Sequence, residues 1–252
     1  MLKLGAQLYT VRDYMKTEAD FAATIEKIAG IGYKYAQVSG IGAVSPKAIS
    51  EITRANGIEV TLTHWNADRI KNETQAVIAE HDLFGCNFIG IGAIPYAHTL
   101  DGFMQFCKDF APAIKEIKAA GKVFLYHNHR FEFEKFDGKT GLELILENTD
   151  PDGLKLTFDT YWAQSGGADS AAWLKKFANR IGVTHLKDMA IISDKQEMTE
   201  IMTGNINFDS IIKVSQECGI NYHFVEQDEV RMNAFDSLEM SYKNLMSTGA
   251  FE

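Results

Sequence analysis

No stretch of the 252 residues approaches the roughly 18 consecutive apolar positions that a membrane-spanning helix needs. The first ten residues, MLKLGAQLYT, read directly as a strand, without the basic region and apolar core that address a chain for export, so a cytoplasmic protein is expected. Cysteine is scarce. Cys86, Cys107 and Cys218 form no CxxC pair and are odd in number, which leaves neither a disulfide framework nor a thiolate metal site. Each lies in or beside a helical pattern, where a small buried apolar group serves. Positive charge is in deficit: 25 Lys+Arg against 34 Asp+Glu give a net charge of −9. That balance argues against a nucleic-acid partner or an anionic membrane surface, both of which need a basic face. Nucleotide signatures are missing too. Gly30-Ile31-Gly32, Gly40-Ile41-Gly42 and Gly90-Ile91-Gly92 never complete GxGxxG, and no GxxxxGK[ST] occurs. No low-complexity stretch, charge block or linker divides the chain, so one domain over residues 1–252 with a small-molecule partner is expected.

What is present is an alternation of short β-rich apolar runs with amphipathic stretches, the pattern of βα units on a parallel sheet. Eight strands are expected: Leu2–Tyr9, Tyr35–Ser39, Ile58–His64, Asn87–Ala93, Lys122–Asn128, Leu154–Asp159, Gly182–Lys187 and Tyr222–Gln227. The helices that follow them are expected at Asp20–Ala29, Pro46–Asn56, Arg69–Phe84, Leu100–Ala120, Gly141–Glu147, Ser170–Asn179, Phe208–Glu217 and Phe235–Met246. Gly30, Gly57, Gly85, Gly121 and Gly219 each sit just past a helical pattern, where a left-handed C-cap favours glycine. Runs such as Phe88-Ile89-Gly90-Ile91 are apolar throughout, as strands covered on both faces should be. Eight such units in one undivided chain of this length predict an α/β fold of the (β/α)8 TIM barrel type. A doubly wound open sheet is the alternative, and it lacks its phosphate turn.

In a barrel the chemistry collects at the C-terminal ends of the strands. Four of the seven histidines, His64, His127, His129 and His185, lie at such ends. His81, His98 and His223 fall in a helical pattern, a loop and a strand start, and read as structural or solvated. Asp159, His185 and Glu226 close the sixth, seventh and eighth strands. Each has an ordinary reading: an N-cap for Asp159, a hydrogen-bonded core imidazole for His185, a salt-bridged rim residue for Glu226. Jointly, carboxylates stripped of water at one rim need a compensating cation. An oxygen-rich set with one or two imidazoles suits Mn2+, Mg2+ or Co2+, and Zn2+ less specifically. Lys187 lies on the same strand face as His185, either paired with Asp188 or acting as a catalytic or substrate-orienting cation. Tyr9, Trp65, Phe131 and Trp162 either cap the barrel or stack on a sugar ring.

The pieces Tyr126-His127-Asn128-His129 with Phe131-Glu132-Phe133, Phe158-Asp159-Thr160, His185-Leu186-Lys187-Asp188 and Val225-Glu226-Gln227-Asp228 resemble the sugar phosphate isomerase/epimerase group of xylose isomerase-like TIM barrels. The resemblance runs over nearly the whole chain. It implies one divalent metal held by Asp159, His185 and Glu226, with a further Glu from the fifth strand. Here that strand ends in His127-Asn128-His129, so either His127 takes the position or Glu132 reaches back, and Glu132 is favoured. The expected catalytic residues are Glu132, Glu226, Lys187 and His127, with substrate contacts from His64, His129, Trp162 and Tyr9. A sugar or polyol is the expected substrate, and isomerisation or epimerisation through an enediolate the expected reaction. Dehydration of a keto-sugar or inosose is the alternative, followed by a non-catalytic sugar-binding barrel and a relative of the DNA-repair endonucleases of this fold. The segment Ile201-Met202-Thr203-Gly204-Asn205 departs from the Gly-rich acidic turn of the group. By analogy with barrels of this kind, a homo-oligomer is expected.

Overall fold

A computed structural model describes residues 1–252. Its elements, in chain order, are β1 (Lys3–Gln7), α1 (Glu18–Ile31), β2 (Tyr35–Val38), α2 (Pro46–Ala55), β3 (Glu59–His64), α3 (Ala67–Asn72), α4 (Thr74–Phe84), β4 (Phe88–Ile91), α5 (Leu100–Ala119) and β5 (Val123–His127). There follow β6 (Lys135–Phe136), β7 (Lys139–Thr140), α6 (Gly141–Glu147), β8 (Leu154–Asp159), α7 (Thr160–Ser165), α8 (Ser170–Lys176), β9 (Ile181–Leu186), β10 (Asp188–Ile192), β11 (Lys195–Thr199), α9 (Phe208–Cys218), β12 (Tyr222–Val225) and α10 (Ala234–Ser247). Eight of the strands close into a barrel in the order β1-β12-β9-β8-β5-β4-β3-β2. Every pairing around the ring is parallel. This is the (β/α)8 barrel that the alternating pattern predicts. No helix is long and apolar enough to cross a membrane.

The helices start and stop where the sequence supplies caps. Thr17 with Asp20 and Thr140 with Glu143 form reciprocal capping boxes at α1 and α6, and Ser45 caps α2 ahead of Pro46 in its first turn. Gly57, Gly85, Gly121 and Gly219 take left-handed conformations, as their positions predict. Gly30 does not. It lies inside α1, which runs on to Ile31 and is capped by Gly32, φ 120°. The expected single helix over Arg69–Phe84 is broken at Glu73, which leaves helical geometry between α3 and α4. The first strand is shorter than expected: the chain turns into a 3-10 segment at Leu8–Tyr14. Two hairpins were not foreseen. β6 and β7 join through Asp137-Gly138, and β10 and β11 through Ser193-Asp194, all four residues with positive φ, the geometry of two-residue hairpin turns.

Two cores position the rim. Inside the barrel, Leu62, Leu125, Val183 and Phe224 pack together, and a side chain at Gly5 would overlap the Phe224 ring. Between strands and helices lies a continuous shell of 58 buried apolar residues. In it Phe103, Phe106 and Phe110 of α5, at helical spacing, are all buried, Phe106 and Phe110 against Phe124 and Tyr126 of β5 and Phe103 against Phe136. Cys86 and Cys107 are buried and unpaired. With both faces of each strand packed, the strand ends are the rigid edge on which polar groups can be held.

Candidate metal centre at the barrel rim

His127 ends β5, Asp159 ends β8, His185 lies one residue before the end of β9, and Glu226 follows β12. Each offers a donor atom within 4.8 Å of every other, and all four residues are buried. The outer nitrogens of both imidazoles are taken. His127 Nδ1 lies 2.9 Å from the Gly92 carbonyl, and His185 Nε2 lies 2.7 Å from the Gln37 side-chain oxygen. Each contact requires an N–H, so in the neutral rings the inner nitrogens carry lone pairs. Those lone pairs face each other and the carboxylates. His127 Nε2 is 3.3 Å from Asp159 Oδ2 and 3.2 Å from His185 Nδ1, and His185 Nδ1 is 2.8 Å from Glu226 Oε2. Glu226 Oε2 makes no well-directed hydrogen bond. With both rings neutral, the inner lone pairs and the two carboxylates converge on one point, which a proton on an imidazole or a bound cation can satisfy. Outer N–H groups pinned on carbonyl oxygens are the usual second support of metal-binding histidine. The donor set therefore fits a divalent ion.

Asp159 serves twice. Its Oδ1 accepts from the Trp162 N–H at 2.9 Å and caps α7, while its Oδ2 faces the cluster. The N-cap and ligand readings of the sequence are thus compatible. Asn128 Oδ1 accepts from the Asp159 backbone N–H at 3.0 Å.

Lys187 supplies a resident positive charge. Its Nζ is 3.0 Å from Asp159 Oδ2, 3.0 Å from Glu226 Oε2 and 2.8 Å from Asp228 Oδ2. It does not pair with Asp188, whose carboxylate accepts from the backbone N–H groups of Met189, Gly204 and Ile206 and ties down the loop after β11. Burial would discharge Lys187, but the three carboxylates outweigh it and hold the ammonium charged. Burial likewise favours the neutral acids at Asp159 and Glu226, yet Lys187 and the imidazoles keep both well below the ordinary carboxylate range. His185 is pushed the other way. Burial opposes its charge, but Glu226 and Asp159 raise its proton affinity above that of a free imidazole.

The cluster opens on a cavity of about 390 Å³ lined by Gln7, Tyr9, His64, His129, Glu226 and Asp228 among others. Tyr9, His64 and His129 therefore stand where substrate contacts were expected. Burial and the neighbouring imidazoles keep His64 and His129 neutral, His129 down to about 3. His64 Nε2 and His129 Nδ1 are buried without a partner. Trp162 stands behind this wall, its ring 5.4 Å from that of His129 and 5.5 Å from Lys187 Nζ, and its indole N–H is also unpartnered. Phe131 lies between two imidazoles, stacked on His98 at 3.4 Å and on His129 at 5.4 Å. Trp65 faces away, its indole donating to Glu80 at 3.0 Å.

Residues 25–228 match the model of the xylose isomerase-like TIM barrel. The chain belongs to that family. An inosose dehydratase of Lacticaseibacillus casei is 21% identical over 272 aligned positions, covering 92% of this chain and 90% of the relative. Another inosose dehydratase, of Mesomycoplasma hyopneumoniae, is 35% identical over 91 residues, which span 36% of this chain and only 28% of that protein. The crystal structure of a sugar phosphate isomerase/epimerase of Parabacteroides distasonis superimposes with a TM-score of 0.83 at 24% identity, covering 100% of this chain and 96% of that one.

Within this xylose isomerase-like barrel, the strand-five position differs from the favoured expectation. The imidazole of His127 stands in the four-donor group, and Glu132 does not reach back to it. Glu132 sits in the 3-10 turn Phe131–Phe133, its Oε1 accepting from the Tyr126 hydroxyl at 2.7 Å and its Oε2 from the His129 N–H at 2.8 Å. Both oxygens are thereby committed, with the residue fully buried. Burial pushes this carboxyl up to about 7 against the help of those donors. Asn128 and Asp228 stand in the quoted motifs without an assigned role, and Gln37 stands in none of them. Gln37 had a signal of its own: a polar side chain in the middle of an otherwise apolar, buried strand.

Proposed function

We propose that this chain is a metal-dependent enzyme of isomerase/epimerase kind that moves a carbon-bound proton next to the carbonyl of a sugar or related keto-polyol. The observation that carries the reading is the convergence of the inner faces of His127, Asp159, His185 and Glu226 beside a cavity whose wall holds unpartnered His64 and His129 nitrogens. His127, Asp159, His185 and Glu226 would hold the ion. When bound, a divalent cation there supplies Lewis-acid stabilisation for negative charge developing on substrate oxygen. The remaining work falls to side chains. Glu226 and Asp228 are the carboxylates that line the cavity, and the Glu226 carboxylate would take the carbon-bound proton. Lys187 stays charged between them and steadies an oxyanion without giving up its own proton. His64, neutral and with one free nitrogen, is the second proton carrier that isomerisation requires. Polyhydroxylated ligands answer the buried nitrogens that the protein leaves open.

A second reading, dehydration, has a specific observation in its favour. The withdrawal of Glu132 leaves the cavity without a second glutamate beside the cluster. A proton acceptor at Glu226 with a neutral imidazole near a departing hydroxyl suits β-elimination of water. Incubation of the Mn2+-loaded protein with ketoses and inososes in D2O separates the two. Isomerisation places deuterium on carbon at unchanged composition, whereas dehydration yields an unsaturated ketone lighter by one water. Absence of both, with every substrate of the panel, overturns the enzymatic reading.

A further inference from the structure

The first cavity has a neighbour. A second chamber, also of about 390 Å³, lies on the other side of Asp228 and is lined by Thr10, Asp13, Tyr14, Asp228, Glu229 and Met232 among others. Asp228 is the residue that the two share. Arg12 builds the sill between them. Its guanidinium donates to the backbone carbonyls of Tyr9 at 2.9 Å and Asp228 at 2.8 Å, and it lies 4.3 Å from the centre of the Tyr9 ring. The loop after β1 is thus clamped to the loop after β12, and the divider is rigid. Asp228 is fixed from three sides: its carbonyl by Arg12, its N–H by the Met198 sulfur at 3.2 Å and its Oδ2 by Lys187. Its other carboxylate oxygen has no protein donor, and the residue lines both chambers.

The second chamber has the surface chemistry of a sugar subsite. Tyr14 and Met232 are large apolar side chains left 44% exposed, and Glu229 and Asp228 offer acceptors beside them. Arg12 lines the chamber together with Asp13, Asp228 and Glu229, so its single positive charge is outnumbered by carboxylates and no net positive charge favours a phosphate. Apolar faces for ring CH groups next to fixed acceptors for hydroxyls are what an uncharged polyol ring needs.

We propose that the substrate has two units: one ring at the metal cluster, and a second glycosyl or polyol unit in the Tyr14–Met232 chamber, with Asp228 hydrogen-bonded at the junction. This rests on the reading of the first cavity as a sugar site. The experiment is a calorimetric titration of the Mn2+-loaded protein with xylose, glucose and myo-inositol as one-ring probes and with cellobiose and maltose as two-ring probes. It is run on wild type, on the double variant Tyr14→Ala/Met232→Ala, which removes both exposed apolar faces, and on Glu229→Ala. The expected result is that at least one two-ring probe binds about tenfold or more tightly than glucose. The double variant should abolish that advantage and Glu229→Ala reduce it, with one-ring affinity unchanged. Equal affinities for one-ring and two-ring probes in wild type, or an advantage intact in the double variant, would overturn the second subsite alone. If no sugar of either kind binds, the sugar reading of the first cavity falls, and the inference with it.

Discussion

Two pairs of buried histidines in the same barrel differ in how completely their ring nitrogens are matched. His81 and His223 have both ring nitrogens matched. His81 Nδ1 donates to the Val77 carbonyl at 2.7 Å, and its Nε2 accepts from the Thr63 hydroxyl at 2.8 Å. His223 Nε2 donates to the Ile220 carbonyl at 2.8 Å, and its Nδ1 accepts from Thr184 at 2.6 Å. Burial lowers both rings to about 4, so they stay neutral and complete. His127 and His185 are equally removed from water, and their outer nitrogens are equally well matched. Their inner nitrogens meet only acceptors or one another. Burial is common to the two pairs, and the difference lies in the sign of what each ring faces. A buried ring that faces donors and acceptors in the right order needs nothing more, whereas one that faces lone pairs needs a proton or a cation between them.

The largest effect that sharpens this contrast is expected at Lys187. In Lys187→Met, Asp159, Glu226 and Asp228 lose their resident counter-charge, a loss of about 3–5 kcal/mol for a broken buried ion pair. Denaturant unfolding of the metal-free protein should show it. Added Mn2+ should recover more stability in the variant than in wild type, because the ion takes over the compensation. Equal Mn2+ effects in both proteins would mean that the cluster does not hold the ion.

Glu132 comes next. Its carboxyl titrates at about 7 in the folded chain, above its ordinary 4.5. The folded state therefore holds a proton that the unfolded state releases, and the stability from that proton is whole below pH 4.5 and lost as pH rises through 7. Glu132→Gln keeps the shape, with its oxygen accepting from the His129 N–H and its amide donating to the Tyr126 oxygen. Between pH 4.5 and just above 7, wild type should lose about 3 kcal/mol relative to the variant. Parallel stability curves for the two proteins would refute the buried position of this carboxyl.

The smallest effect belongs to the completed pair. Thr184→Val leaves His223 Nδ1 without its donor and should cost about 1–3 kcal/mol. Mn2+ binding should stay at the wild-type level. A change in metal affinity would erase the distinction between the two kinds of histidine.

Much of this was legible in the sequence, for physical reasons. The barrel is written in an alternation that repeats eight times, and four of its helix ends are marked by glycines whose positive φ other residues resist. The rim is written in polar residues at strand ends, where apolar ones would serve a purely structural sheet. What escaped depended on local chain paths. His127 and Glu132 are both reasonable donors by type. The choice between them was made by a 3-10 turn that tucks Glu132 beneath Tyr126, and no periodicity announces such a turn. The hairpin at Asp188–Thr199 was hidden because its first strand follows β9 after a single residue, Lys187. Asp137-Gly138 did announce its hairpin, in a stretch too short to read as two strands. Gly30 misled because an exposed glycine tolerates the helix interior when the chain can stop at Gly32 instead.

The central claim is that the barrel rim holds a divalent ion through His127, Asp159, His185 and Glu226, without Glu132. Equilibrium dialysis against Mn2+, followed by elemental analysis, tests it on wild type, His127→Ala and Glu132→Gln. About one Mn2+ per chain is expected in wild type and in Glu132→Gln, with affinity in His127→Ala lower by about a hundredfold or more. Metal retained by His127→Ala but lost from Glu132→Gln, or no metal in wild type, would contradict the account.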